Sequence, residues 1–264
     1  MQEDEGHRAI NEAFDEVARV HRLMSFHEPN SDVSRLNREA IGRSLEVDPA
    51  TFMVLQQAEE ISRLSGGCFD ITIAPELVRQ GTLPSPDCVY IPDSQATWRD
   101  VVLEPGNHVR FRRPLWIDLG GIAKGYAVDR ALEKLRAQGA VQASVNAGGD
   151  LAVFGPDVER VLLTPGQLAD DALPVLEIEN AAVASSGVSS PAPDASNAPH
   201  IDGRSRVPMQ ARCFVSVVAK RCMIADALTK VVMALQEQSE PHLRNYGASA
   251  HVHDSHHGWR HFAA

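Results

Sequence analysis

Residues 116–129 read Trp116-Ile117-Asp118-Leu119-Gly120-Gly121-Ile122-Ala123-Lys124-Gly125-Tyr126-Ala127-Val128-Asp129. A short strand pattern runs into a paired glycine, and a helix pattern follows with a lysine in its first turn. Glycine lets a backbone approach a ligand closely, and a helix start offers unpaired N–H groups. Lysine adds a point positive charge. The stretch suits a phosphate or pyrophosphate equally as well as it suits an ordinary strand–turn–helix.

A chain of 264 residues can bury a substantial core. Its formal net charge of −10 argues against nucleic acid or an anionic membrane surface as partner. No apolar run is long enough to span a bilayer, so no transmembrane segment is expected. The acidic start, Met1-Gln2-Glu3-Asp4-Glu5, is unlike a signal peptide, so the expectation is either a cytoplasmic protein or a chain from which a leader is absent. Cys68, Cys88, Cys213 and Cys222 are scattered and form no C-x-x-C pair.

Helical spacing of Ile10, Phe14, Val17, Val20 and Met24 predicts a first helix over 7–24 with those residues facing inward. A second helix is framed by Asp48 and Pro49 at its start and by Gly66-Gly67 at its end. Phe52, Leu55, Ile61 and Leu64 would face the core. A third helix follows Gly121 and stops at Gly139, and a fourth runs from about Met223 to Leu235. Strands are expected at 115–119, 141–146, 151–154, 160–163, 175–178, 182–185 and 213–219. Trp259 to Phe262 would close a C-terminal hairpin, and 188–208 form a long loop. The expected fold class is α+β, a single domain of mixed or antiparallel sheets with packed helices.

Four further segments carry possible chemistry. Met24–Asn37 is a polar loop in which Ser31 can cap a short helix. Ser65–Thr72 places Phe69 beside Asp70 after two glycines, and doubles as a helix C-cap leading into a strand. Asn146–Asp150 carries a glycine pair that is a bulge or turn by default. In Ala225–Lys230, Asp226 and Thr229 share a helix face; an acid and a hydroxyl could hold Mg²⁺ beside a phosphate, or simply start a helix. His251, His253, His256, His257 and His261 crowd the last residues, where a solvated hairpin outweighs a metal site.

In this order, these segments resemble the FAD:protein FMN transferase family, also called ApbE, over nearly the whole chain. The resemblance implies a T-fold-like ApbE domain over residues 1–264. It also implies transfer of FMN from FAD to a threonine or serine hydroxyl of a target flavoprotein, with release of AMP and with Mg²⁺ at the pyrophosphate. It places His27, Cys68, Phe69, Asp70, Asp118, Lys124 and Ile201 at the FAD site, and Gly121, Asp226 and Thr229 at the metal. Members of that family are commonly exported to the periplasm or cell envelope.

The chain departs from the pattern in three places. The family's first strand, with its Met-Gly-Thr-like turn, is not seen before the first helix. The His-x-Ile-Asp-Pro-x-Thr-Gly segment appears as His200-Ile201-Asp202-Gly203-Arg204-Ser205-Arg206. Lys230 stands where a metal-ligating threonine is expected, with Thr229 one residue earlier. His200 and Lys230 are therefore candidate catalytic residues without a defined role. Lys230 cannot ligate a metal while charged, so either Thr229 turns in or the ammonium serves the pyrophosphate itself. Other readings are an FAD-binding protein with little or no transfer, a Mg²⁺-dependent FAD pyrophosphatase and, last, a metal carrier.

Overall fold

A computed structural model describes residues 3–165, 173–187, 200–209 and 213–263. In chain order the helices and strands are α1 (Glu3–Met24), α2 (Asp32–Glu39), β1 (Leu45–Glu46), α3 (Pro49–Leu64), α4 (Ala74–Arg79), β2 (Val101–Glu104), β3 (His108–Phe111) and α5 (Ala123–Ala137). There follow β4 (Ala143–Asn146), β5 (Asp150–Phe154), β6 (Glu159–Leu162), β7 (Val175–Ile178), β8 (Ala182–Gly187), β9 (Ile201–Asp202) and β10 (Val207–Pro208). The last are β11 (Cys213–Ala219), α6 (Cys222–Leu235), α7 (Glu240–Asn245), β12 (Ser249–Asp254) and β13 (Gly258–Phe262). Helices with antiparallel sheets make this an α+β fold, as expected. The one parallel pairing described is an isolated bridge from Ile41 to Phe111.

The chain forms two compact units. The first comprises Met1–Arg19, Lys124–Pro191 and Ala211–Ala264. Its main sheet has the order β13-β12-β11-β8-β5-β4, and β6 pairs with β7. Strands β5, β8 and β11 are rich in Val and Ala, and α6 lies against β8 and β11. Helix α6 is apolar nearly all round, which suits a helix buried on most sides.

Helix α1 corrects one expectation. Ala9 and Ala13 are buried, packed near Ala131, Leu135 and Phe154, while Ile10 and Phe14 are exposed. Two alanines allow close helix approach, so at the start of α1 the inward stripe lies one residue off Ile10 and Phe14, while Val20 and Met24 further on are buried as expected.

Two helices of this unit lock through their backbones. A Cβ at Gly125 on α5 would lie 2.4 Å from the carbonyl oxygen of Cys222, so only glycine permits the approach. Asp129, one turn on, accepts the backbone N–H groups of Cys222 (2.7 Å) and Met223 (3.0 Å). It thereby caps α6, whose own N-cap residue Arg221 provides no side-chain bond.

The second unit comprises Val20–Ala123 and Ala192–Gln210. Its three-stranded sheet has the order β1-β3-β2, and β9 and β10 form a small hairpin. The expected loop over 188–208 therefore contains two short strands, and residues 188–199 lie outside the described part. Ser31 caps α2 by accepting from Ser34 N–H at 3.0 Å. Asp48 and Pro49 start α3, and Gly66 (φ +64°) and Gly67 (φ +85°) end it. Leu55 and Ile61 are buried as expected, while Phe52 and Leu64 are only half-buried.

The strand expected at 115–119 is absent as a strand. Leu115, Ile117 and Leu119 are buried with the alternation of an extended chain. However, the segment pairs with no ladder. Asn37 bonds both the N–H (2.8 Å) and the carbonyl (2.9 Å) of Ile117, and Ile71 O accepts from Asp118 N–H at 2.8 Å. An asparagine amide supplies the donor and acceptor that a neighbouring strand would.

Two outcomes test this packing. Gly125→Ala should lower unfolding free energy by about 3 kcal/mol, because backbone atoms cannot move aside as a rotamer does; thermal melting reads it. Burial pushes the Asp129 carboxyl up to about 6 from its ordinary value of 3.8, against the two N–H bonds it accepts. The folded state then holds the proton more tightly than the unfolded one. Stability from this group is full below about pH 4 and is lost as pH rises to about 6, at most about 3 kcal/mol. Asp129→Asn should remove that slope in denaturant melts taken from pH 4 to 7.

Candidate functional site

Helix α6 places its second turn against the start of α5 within the first unit. Asp226 is fully buried. Its Oδ2 accepts the Gly125 N–H at 3.2 Å, and its Oδ1 pairs with the Lys230 ammonium one turn along α6. Lys230 Nζ also donates to the Asp226 carbonyl at 3.1 Å and to Ser186 Oγ on β8 at 3.4 Å. Thr229 Oγ1 donates to the same carbonyl at 2.7 Å and lies 2.8 Å from Ser186 Oγ.

Asp150, the first residue of β5, follows a turn in which Gly148 (φ +65°) and Gly149 (φ +102°) reverse the chain. It is 1% exposed, and Lys124 Nζ lies 2.9 Å from its Oδ2. Among the described residues the carboxylate has no other donor. Burial pushes Asp150 up to about 6; repulsion from Asp226 adds to this, and Lys124 and Lys230 oppose it. For Lys124, burial is outweighed by the attraction of Asp150 and Asp226, so its pKa is raised. Sequence reasoning did not single out Asp150 or Ser186. An acid directly after a glycine pair and opening a strand was the available signal for the first; β8 offered none for the second.

The second unit gathers a different group. Asp70 Oδ1 accepts from Thr72 N–H and Oγ1, both at 2.8 Å, and Oδ2 accepts from Trp98 N–H at 3.2 Å. Arg206, at the turn of the β9–β10 hairpin, reaches Asp70 Oδ2 at 3.1 Å, Thr72 Oγ1 at 2.7 Å and the Ala96 carbonyl at 2.7 Å. Burial raises the Asp70 carboxyl while Arg206 opposes it. Gly203 in the same turn sits where a Cβ would meet Gly67 O at 2.4 Å. Thus the departing segment 200–206 is seated on Gly67–Asp70 through Gly203 and Arg206.

The other expected site residues fall as follows. Cys68, Phe69 and Ile201 are buried in the second unit, burial raising the Cys68 thiol, and His27 there is exposed. Asp118 Oδ2 accepts from Gly120 N–H at 3.1 Å, closing the turn that leads through Gly121 to α5. His200 O accepts from Met209 N–H at 2.8 Å, which fixes the hairpin. The second unit therefore holds His27, Cys68, Phe69, Asp70, Asp118, Gly121, His200 and Ile201, and the first holds Lys124, Asp226, Thr229 and Lys230.

Among the described residues no three His, Cys, Asp or Glu side chains gather as a metal site. The C-terminal hairpin forms, but His253 is not solvated: it is 2% exposed and packs against Trp259, ring centroids 4.9 Å apart and planes tilted by 58°. Asp226 and Thr229 are oxygen donors of the type Mg²⁺ takes. As folded, however, both Asp226 oxygens are committed and an ammonium holds one of them, so these residues do not fit a resident divalent cation.

Removing the Arg206 guanidinium would leave Asp70 buried without its cation. Arg206→Ala should destabilise by about 3–5 kcal/mol, and Arg206→Lys by less, since it keeps the charge but loses the fork. Urea melts of the two variants against the parent decide it.

Comparison with known proteins bears on the family and the fold. The ApbE family model matches residues 2–251. The FAD:protein FMN transferase of Vibrio cholerae is 27% identical over 236 residues, covering 83% of this chain and 71% of that protein. That of Haemophilus influenzae is 26% identical over 243 residues, covering 83% and 70%. In three dimensions the chain matches the flavin transferase ApbE from Vibrio cholerae with a TM-score of 0.84 at 23% identity, covering 100% of this chain and 89% of that one. The apo flavinyl transferase ApbE of Pseudomonas stutzeri gives 0.79 at 21%, covering 100% and 87%. With its family model spanning nearly its whole length, the chain belongs to the ApbE family.

Proposed function

We propose that this protein is an FAD:protein FMN transferase, the activity for which its curated relatives are named. The observation that carries the reading is the pair of ammoniums, Lys124 and Lys230, each held by a buried carboxylate beside the start of α5. Two fixed positive charges and a helix start suit a pyrophosphate. The acceptor is a threonine or serine hydroxyl of a target flavoprotein. Its oxygen attacks the phosphorus of the FMN half. A new P–O bond forms, the bond from that phosphorus to the bridging oxygen breaks, and AMP departs with the electron pair while the hydroxyl proton is released.

Charge builds on the phosphoryl and leaving oxygens, where preorganised cations stabilise it most. The Lys124 side chain is 43% exposed, so its ammonium has reach beyond the protein interior. Mg²⁺ belongs to the proposal as an aid to the transfer step during turnover, not to FAD binding or to the flavin-free fold.

The test mixes the protein with FAD, Mg²⁺ and a threonine-bearing acceptor peptide. Covalent flavin on the peptide, seen as in-gel fluorescence and a mass gain, supports the transferase. FMN and AMP free in solution indicate a pyrophosphatase, and intact bound FAD a binding protein. Lys124→Gln, which can still donate to Asp150, should weaken FAD binding by about 10- to 100-fold by fluorescence titration, the loss of one charge-assisted contact.

A further inference from the structure

Four charges meet around the crossing of α5 and α6: Asp150, Asp226, Lys124 and Lys230. Their formal charges cancel. The carboxylates are the buried members, each 1% exposed at the side chain, while Lys230 is 15% and Lys124 43% exposed. The ammoniums thus lie on the solvent side of the carboxylates, and the cluster presents its positive end outward. Lys230 is also fixed. Its three donors go to Asp226 Oδ1, the Asp226 carbonyl and Ser186 Oγ, which uses all that an ammonium has.

We propose that the Lys230 ammonium is the resident cation of this site, standing at Asp226 in place of a divalent metal ion and facing the phosphate oxygens of FAD. The inference rests on the FAD reading for its ligand. Its metal half stands on geometry alone. A divalent cation at Asp226 would have to displace Lys230 from Oδ1 or crowd in beside it at Oδ2, which already accepts the Gly125 N–H at 3.2 Å. It would also come to lie beside an ammonium, a like-charge contact without compensating donors. The Thr229 hydroxyl is already engaged on two sides, donating to the Asp226 carbonyl and lying 2.8 Å from Ser186 Oγ, so it is not turned toward Asp226 Oδ1 as a second ligand.

Removing Lys230 inverts this. In Lys230→Thr, Asp226 is left buried and unpaired, beside two adjacent hydroxyls. A buried carboxylate without a counter-charge is strongly destabilising, and a hard cation with oxygen ligands relieves it. Metal binding to the folded state then appears as added stability.

The experiment needs no turnover. Flavin-free parent and Lys230→Thr are titrated with MgCl₂ by calorimetry and melted with and without Mg²⁺. FAD affinity is measured by fluorescence in EDTA and in Mg²⁺. For the parent, no Mg²⁺ binding heat, an unchanged melting temperature and an FAD dissociation constant equal within about twofold in the two buffers are expected. For Lys230→Thr, Mg²⁺ should raise the melting temperature, and EDTA should weaken FAD binding by about tenfold or more. Lys230→Met, with neither charge nor ligand, should bind FAD more weakly whether or not Mg²⁺ is present. Saturable Mg²⁺ binding to the flavin-free parent overturns the proposal, and so does loss of its FAD affinity in EDTA. The parent titration decides the point even where a variant does not fold. Failure of FAD to bind the parent in either buffer would refute the FAD reading, leaving the metal titration to decide the rest.

Discussion

The crossing of α5 and α6 is fixed by an exchange of backbone donors for carboxylates. Asp129 on α5 takes two N–H groups from the first turn of α6, and Asp226 on α6 takes the Gly125 N–H of α5. Each helix thus satisfies donors that the other's start would leave open. The approach is possible because position 125 has no side chain. Once it is made, Lys124 and Lys230 follow from helix geometry. The first precedes the contact glycine, and the second lies one turn beyond the contact acid on the same face.

The second unit solves a similar problem with different chemistry. Asp70 is buried among Thr72, Trp98 and Arg206 and receives donors on both oxygens. Its partner is a planar fork that also bonds a hydroxyl and a carbonyl, which a lysine could not do at once. In both units, then, a buried aspartate anchors a loop or helix start; the cation that Asp70 holds comes from far along the chain, whereas that of Asp226 lies one turn away. Such pairs contribute specificity of placement more than net stability.

The sequence shows the elements whose signals are local. Asp48-Pro49 and Gly66-Gly67 bracket α3, and the glycine pair before α5 announces its start. β7 and β11 were legible because their apolar runs are bounded by turns. The hairpin of β2 and β3 was not, although Gly106 and Asn107 both take positive φ at its turn. Its Glu, His and Arg residues dilute the apolar pattern. Helices α4 and α7, at six residues each, are too short to establish a period. Residues 115–119 show the converse: an extended alternation was visible, but nothing local says that Asn37 replaces the neighbouring strand. The Lys124–Asp150 and Asp70–Arg206 pairs were invisible for the same reason, since neither partner's neighbours announce the other.

Burying four charges where α5 meets α6 is not the most stable use of that space. Replacing a buried ion pair with well-packed apolar side chains is commonly neutral or favourable, and apart from Asp226, Thr229 and Lys230 helix α6 is apolar. An Asp–Lys pair one turn apart on a solvated helix would contribute only about 0.3–0.5 kcal/mol. The arrangement therefore makes physical sense through its orientation rather than its energy. Carboxylates held behind ammoniums keep the positive ends in fixed positions before any ligand arrives. On the proposed reading, an incoming pyrophosphate would meet charge that needs no reorganisation, the condition under which electrostatic stabilisation of phosphoryl transfer is most effective. A lysine tied to the protein cannot be lost to chelators or diluted away, whereas a bound metal depends on its concentration in solution. On the proposed reading, the position one turn after Asp226 would thus exchange a ligand's lone pair for a permanent charge.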